Sequence, residues 1–270
     1  MVNFIKRLFG STQDDYLPVT ALEKMTLTFP NGQAPIAVRV HTPVNPQSII
    51  NALDLSTPTP AFFVSGGAGA MNTESMMSSR ATLEDGLARF LHDHQVTLLD
   101  GGTATGVMQL IGLARQRRGY TFPLIGVAPD QVVWLPGRER TEAQLADLDA
   151  FHSHFVLTDG DDFGTESETL IHLTYALCGR GIRPRLCIVV NGGQIVKREV
   201  HRMATQEPRF PILVLDGSGR FADELADAFR AKTSEDPLIQ EILDKGNVHF
   251  LHIKAGAGPV RSWLENYCGF

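Results

Sequence analysis

The chain has 270 residues, 43% of them hydrophobic and 20% charged, and a length of this order suits one large α/β domain better than two small ones. Its formal net charge of -6 lacks the basic excess that duplex nucleic acid demands, so nucleic acid is excluded as the expected partner. Its three cysteines, Cys178, Cys187 and Cys268, have no metal-ligand spacing and cannot complete a disulfide framework, which points to a reducing compartment such as the cytoplasm.

Residues 1–10 carry Lys6 and Arg7 among apolar neighbours, but the stretch is too short for a signal h-region or a membrane span. A packed or disordered terminus is expected there ahead of a surface-docking helix. Residues 24–29 and 36–42 alternate like strands around the turn Pro30-Asn31-Gly32, predicting a β-hairpin at the edge of the domain. Residues 43–60 hold four prolines and read as a connector with one helical turn near 49–55. Residues 1–60 are thus a hairpin and connector, packed on a main domain spanning 61–270.

From Ala61 onward, short apolar runs alternate with helical spacing. The runs at 61–64, 96–99, 122–128, 154–157, 186–190 and 212–215 suit strands buried on both faces, and 247–253 suits a last one. Between them, Val107, Leu110, Ile111 and Ala114 form one helical stripe, Leu170, Leu173, Thr174 and Leu177 a second, and Phe221, Leu225, Ala228 and Phe229 a third. Residues 263–270 are left as a C-terminal tail. This alternation predicts right-handed βαβ units in a Rossmann-like three-layer α/β sandwich with a mainly parallel sheet.

Five of the apolar runs stop at glycine-dense turns: Ser65-Gly66-Gly67-Ala68-Gly69, Asp100-Gly101-Gly102-Thr103, Asp159-Gly160 leading to Gly164-Thr165, Asn191-Gly192-Gly193, and Asp216-Gly217-Ser218-Gly219-Arg220. In a parallel sheet such turns gather on one edge, where close backbone approach and free helix N–H groups make an anion-binding rim. Any one turn is explained by connection alone; the series points to a nucleotide. Two familiar fingerprints fail. Gly101 to Gly106 is followed by Val107 and Met108 where a P-loop needs Lys and Ser or Thr, and Asn72 stands where Gly67-Ala68-Gly69 would need a third glycine or alanine.

The order and spacing of Val64-Ser65-Gly66-Gly67-Ala68, Asp100 to Met108, Ile125-Gly126-Val127-Ala128-Pro129, His152-Ser153-His154-Phe155 and Asp216 to Asp223 resemble the SLOG superfamily. Within it, the likeness is to prokaryotic relatives of the N-terminal cytosolic region of melastatin-type TRP channels. It spans roughly 61–228. The resemblance implies a Rossmann-like sheet that binds nucleotide derivatives, ADP-ribose among them. It implies that Gly66, Gly67, Ala68, Gly101, Gly102 and Thr103 line the pyrophosphate, that Gly164, Thr165, Gly192, Gly193, Gly217, Ser218 and Gly219 complete the rim, and that Arg220 grips phosphate. An arginine fork suits phosphate bidentately where lysine does not. The alternative for Arg220 is an ion pair with Asp223 or Glu224.

The segment 163–168 is also similar to the Gly-Thr-x-x-Glu part of the Lonely Guy phosphoribohydrolases, which implies a catalytic role for Glu168 if the chain is an enzyme. Yet Gly160, Asp161 and Asp162 replace the proline and glycines of those enzymes, and Asp162 stands where the channel relatives carry an arginine. Glu166 and Glu168 diverge once a helix begins, so they make a poor acid/base dyad. No resident cofactor is implied; Asp159, Asp161 and Asp162 are weak candidates for Mg2+, against the reading of a solvent-facing acidic loop. His152 and His154 flank a strand start without a third metal ligand. Trp134, Arg138 and Arg140 form a loop that suits a base-stacking lid, an exposed interface or a plain connection.

Three functions stay open: a cytoplasmic sensor of a nucleotide derivative, a nucleotide N-glycosidase using Glu168, and a ligand-free assembly scaffold. Because the sequence shows no second effector domain and no membrane span, a sensor's signal is expected to leave through a partner or a homo-oligomer.

Overall fold

The computed structural model describes residues 22–67 and 79–270. The expectations for residues 1–10 and for Ala68, Gly69 and Asn72 therefore lie outside the described residues.

The alternating residues near the start form the antiparallel hairpin β1 (Glu23–Thr26) and β2 (Ile36–Val40), with Lys24 opposite Val38. Helix α1 (Pro46–Ala52) follows in the connector; Asn45 caps it by accepting Gln47 N–H, and it buries Ile49 and Ile50. The remaining strands are β3 (Ala61–Gly66), β4 (Thr97–Asp100), β5 (Leu124–Pro129), the short pair β6 (Val133–Trp134) and β7 (Ala146–Asp147), then β8 (His154–Thr158), β9 (Arg185–Val190), β10 (Ile212–Asp216) and β11 (Val248–His252). The further helices are α2 (Arg89–Asp93), entered through a π-helical stretch Ala81–Ala88, α3 (Gly106–Arg118), α4 (Ser167–Leu177), α5 (Gln194–Thr205), α6 (Arg220–Ala231), α7 (Pro237–Lys245) and α8 (Ala257–Cys268).

The main sheet has nine strands in the order β1-β2-β8-β5-β4-β3-β9-β10-β11, parallel throughout except for β1 on β2. The chain walks outward from β3 through β4 and β5, and β9 takes the opposite flank of β3. Loops leaving β3 and β9 therefore diverge to opposite faces, and this switch point is where open parallel sheets form their ligand crevice.

Side-chain alternation explains the two faces. On β3, Ala61 and Phe63 enter one core with α1, α4, α5, α6 and α7, whereas Phe62 and Val64 enter the other with the π-helical stretch, α2, α3 and α8. On β9, Cys187 and Val189 follow the first pair, and Leu186, Ile188 and Val190 the second. Strands buried on both sides read as unbroken apolar runs, as these do. The C-terminal segment departs from the expected tail: residues 257–268 are helical, and Val260 and Leu264 are buried against the second core. Phe229 leaves its expected stripe; it is 53% exposed and stacks on Phe250 with ring centroids 4.5 Å apart. Among the described residues, no helix is long and apolar enough to cross a membrane.

A buried ion triad fixes the turn after β4. His152 contacts Asp100 Oδ1 through Nε2 at 2.8 Å and Asp149 Oδ2 through Nδ1 at 2.9 Å, all three side chains being buried. Asp100 Oδ1 also accepts Gly102 N–H, while Asp149 N–H and Ala104 N–H donate to Gly102 O and Asp147 O. Burial opposes the imidazolium charge, but attraction and hydrogen bonding from Asp100 and Asp149 override it and push the His152 pKa up to about 10.

Because this folded pKa lies above the unfolded value of about 6.5, the stabilisation is complete below that value and is lost as pH rises through about 10. Urea unfolding is predicted to show stability falling from pH 7 to pH 10, with the slope much reduced in His152→Gln. A wild-type stability that is flat over that range would contradict the triad's charge assignment. In the same titrations Gly66→Ala is predicted to lose about 1–3 kcal/mol, since its Cβ would overlap Val107 Cγ1 on α3 and sit 3.3 Å from Val190 O.

Candidate functional site

At the carboxyl edge of the sheet a cleft of about 620 Å3 opens over the switch point between β3 and β9. Its lining draws on the end of β3 and its turn (Ser65, Gly66, Gly67), the turn after β4 (Gly101, Thr103, Thr105), and the starts of α4, α5 and α6. Leu145 and Ala146 close one side from the loop around β7.

Helix N-termini give this cleft its character. Thr105 before α3, Glu166 before α4, Gly193 before α5 and Gly219 before α6 each occupy the cap position without accepting a side-chain cap bond. By contrast α1 and α7 are capped by Asn45 and Asp236. Helix α8 also starts on a bare glycine, Gly256, which is not part of the cleft lining. An uncapped N-terminus leaves N–H donors and a partial positive charge that suit an anion. At α6, however, Phe221 N–H and Ala222 N–H donate to Gly192 O and Asn191 O, and at α4 Ser167 N–H donates to Gly164 O.

The glycines divide by what surrounds them. A Cβ on Gly101 would meet nothing within 4 Å, so this glycine leaves open room at the cleft wall. Gly193 lies under Arg220, whose Nη2 would sit 2.6 Å from an added Cβ. Gly67 approaches Asn191 and Gly192 closely, joining the turns after β3 and β9. Gly102 sits with φ +66 on Gly126 and Phe155, and Gly192 packs on Val196; both support the rim from behind. Gly217 and Ser218 also serve the scaffold: Gly217 N–H donates to Asp223 Oδ1 at 2.7 Å, and Ser218 accepts Asn191 N–H through Oγ at 2.7 Å and Asn191 Nδ2 through its carbonyl at 2.8 Å. Gly219 is the cap of α6 beside Asn191.

Arg220 lines the cleft and is exposed. Both carboxylates that could have paired with it are engaged elsewhere, Asp223 with Gly217 N–H and Glu224 with Lys197. Its backbone sits at φ +51, a conformation that a non-glycine residue adopts at a cost of about 1–3 kcal/mol. A cation held at some strain beside Gly193, with Asp223 and Glu224 bonded elsewhere, suits an anionic ligand.

The acidic turn is resolved into separate roles. Asp159 accepts from Thr42 N–H and from Thr42 Oγ1 at 2.7 Å, and lies 3.5 Å from His41 Nδ1. Asp162 Oδ1 accepts Phe163 N–H, and Asp161 is exposed. Among the described residues, no three His, Cys, Asp or Glu side chains converge to hold a metal ion. Gly164 and Thr165 line an adjoining groove of about 400 Å3 with Arg198 and Arg202, which shares Phe163, Ile195 and Glu199 with the main cleft.

Glu168 lies outside the main cleft. Its side chain is 68% exposed, accepts from Arg202 Nη2 at 3.1 Å, and borders a third groove with Thr42 and His172. Two other glutamates occupy the cleft. Glu199 is buried and accepts Ser65 Oγ and Ser167 Oγ, each at 2.5 Å, which ties β3, α4 and α5 together. Glu166 is buried at the start of α4, where Oε2 accepts Gly164 N–H at 2.7 Å. Burial, reinforced by the negative charge of Glu199, pushes the Glu166 pKa up to about 7, with the Gly164 bond opposing it. Burial likewise raises the Glu199 pKa against the pull of its two serine donors.

The loop that carries Trp134 does not present that ring to the cleft. Trp134 Nε1 donates to Arg138 O at 2.9 Å, the Arg140 guanidinium stacks 5.3 Å from the indole, and Arg138 pairs with Asp130. Leu145 reaches the cleft in its place. His152 is absorbed by the triad below the β4 turn, and burial lowers the His154 pKa to about 4.

Comparison with known proteins places the chain in a family. The family model described as SLOG in TRPM, prokaryote, matches residues 59–260. The transient receptor potential cation channel trpm of Drosophila melanogaster is 25% identical over 275 residues, covering 87% of this chain and 14% of the channel. The human subfamily M member 7 channel is 27% identical over 219 residues, covering 70% and 12%, and the rat subfamily M member 2 channel 24% over 213 residues, covering 65% and 14%. The chain thus spans about a seventh of the length of these relatives. With the match extending over most of its length and over every glycine turn that lines the cleft, the chain belongs to the prokaryotic SLOG-in-TRPM family.

Proposed function

We propose that the chain is a ligand-sensing module that binds ADP-ribose or a related nucleotide derivative, with its phosphates on the rim formed by Gly67, Gly101, Gly193 and Arg220. The observation that carries this reading is the convergence of uncapped helix N-termini around an arginine whose neighbouring acids are bound elsewhere. Phosphate oxygens would accept N–H groups at the starts of α3 and α5 and balance the guanidinium in one step. The rest of the cleft is largely apolar, with Phe63, Met108, Leu145, Phe163 and Leu170 on its walls, and suits the flat face of a base.

Hydrolysis through Glu168 has less support, because that carboxylate points into another groove and is held below its usual pKa range by Arg202. Output through an effector or through a second copy of the chain is part of the sensor reading.

Calorimetric titration with ADP-ribose, ADP and NAD tests the proposal. Arg220→Ala is expected to weaken binding by about 10–100-fold, the worth of a charge-assisted hydrogen bond. Gly101→Ala is expected to keep wild-type stability and yet weaken the same ligands, because its methyl group takes room that no protein atom uses. Absence of binding by all three probes to folded protein would overturn the reading, and undiminished affinity in Arg220→Ala would remove the arginine from the site.

A further inference from the structure

Resting on that reading, we infer that Glu166 is a specificity-determining residue of the cleft: its carboxylate receives the vicinal hydroxyls of a ribose and thereby orients the ligand with its phosphates toward Arg220.

The cleft lining carries both Arg220 and two buried glutamates, Glu166 and Glu199. An ionised glutamate repels a phosphate oxygen. A nucleotide derivative that fills the cleft is best served by a neutral, proton-donating group against these carboxyls. A ribose diol is such a group, since each hydroxyl donates to a carboxylate oxygen.

The two glutamates are not equivalent. Glu199 has both oxygens engaged, one on Ser65 Oγ and the other on Ser167 Oγ, which holds it as a prop between β3 and α4. Glu166 accepts backbone N–H groups of its own turn, Gly164 N–H at Oε2 among them, and among the described residues no side chain is found donating to it. The surrounding chain favours that orientation. Gly164, at φ +96, brings its N–H back to the carboxylate, and α4 begins directly beneath it. Glu166 and Glu168 leave the helix start on different sides, so the partner of Arg202 is not available to the cleft and Glu166 is.

The charged groups around Glu166 are Asp162 in the preceding turn, Arg198 and Glu199 on α5, and Arg220 on α6; Ser65 is the polar group facing from β3. With a pKa near 7, Glu166 is mainly ionised at pH 8 and mainly protonated at pH 6. An ionised carboxylate accepts both diol protons, whereas the acid retains one good acceptor. Preference for the diol therefore falls as the solution is acidified from pH 8 to pH 6.

The experiment compares ADP with 2′,3′-dideoxy-ADP by calorimetry at pH 6 and pH 8, in the wild type, Glu166→Gln and Glu168→Gln. The wild type and Glu168→Gln are expected to favour ADP by about 30-fold at pH 8, and by clearly less at pH 6. Glu166→Gln is expected to bring the preference within about 3-fold at both pH values while leaving dideoxy-ADP binding intact, because amide and carboxylate have the same shape. The wild-type comparison does not depend on any variant folding. Equal affinity for the two nucleotides in the wild type, or a preference unchanged in Glu166→Gln, overturns the inference while leaving the nucleotide-binding reading in place. Failure of the wild type to bind either nucleotide or ADP-ribose overturns both.

Discussion

Everything in this molecule's site depends on one constraint: neighbouring parallel strands release their chains at the same edge of the sheet, and the helices that follow start there. The turns after β3, β4, β9 and β10 meet at that edge because the strands are adjacent in the order β4-β3-β9-β10. Asn191 and Asp236 show two outcomes of the same physics. Asp236 closes the start of α7 with its own side chain, whereas Asn191 spends its amide on Ser218 and its own turn, leaving the start of α5 to bare Gly193. The starts of α3 and α5 thus have neither a side-chain cap nor an acid in the first turn, whereas α1 and α7 are capped by Asn45 and Asp236.

The polar interior is arranged to hold that edge rigid. The His152 triad pins the turn after β4 from below, and Glu199 links β3 to α4 and α5 through two serines. Each network is buried and joins residues far apart in sequence, as with the 134 positions between Ser65 and Glu199. Glycines complete the frame by allowing backbone to approach backbone or helix, at Gly66 against Val107 and at Gly102 against Gly126. Gly101 differs because the space in front of it is empty of protein. One sequence feature, the glycine-dense turn, therefore serves two purposes that only neighbours in space can separate.

The sheet was legible because two-sided burial leaves unbroken apolar runs, and every run from 61–64 to 247–253 contains a strand. The helical stripes of α3 and α4 were equally plain, and that of α6 was so except at Phe229. Residues 257–268 were not, because α8 mixes Arg261, Glu265 and Asn266 with only two buried apolar side chains and has no strong period. The β6 and β7 pair is too short to show alternation. At the site, the turns and Arg220 were visible from residue type, but the glutamate facing the cleft was displaced by two positions. Where a helix begins decides which of Glu166 and Glu168 points inward, and element boundaries are the least determined part of a sequence pattern. The burial of Glu166 and the serine bonds of Glu199 depend on α5 and β3, which no local signal connects to α4.

The central claim is that a phosphate group occupies the rim where α5 and α6 begin. The most direct measurement is a crystal structure of the protein with ADP-ribose, read for the position of the diphosphate. The account predicts phosphate oxygens within hydrogen-bond distance of the Gly193 backbone and of the Arg220 guanidinium. A diphosphate bound instead in the groove of Thr42, Glu168 and His172, with the rim empty, would contradict it.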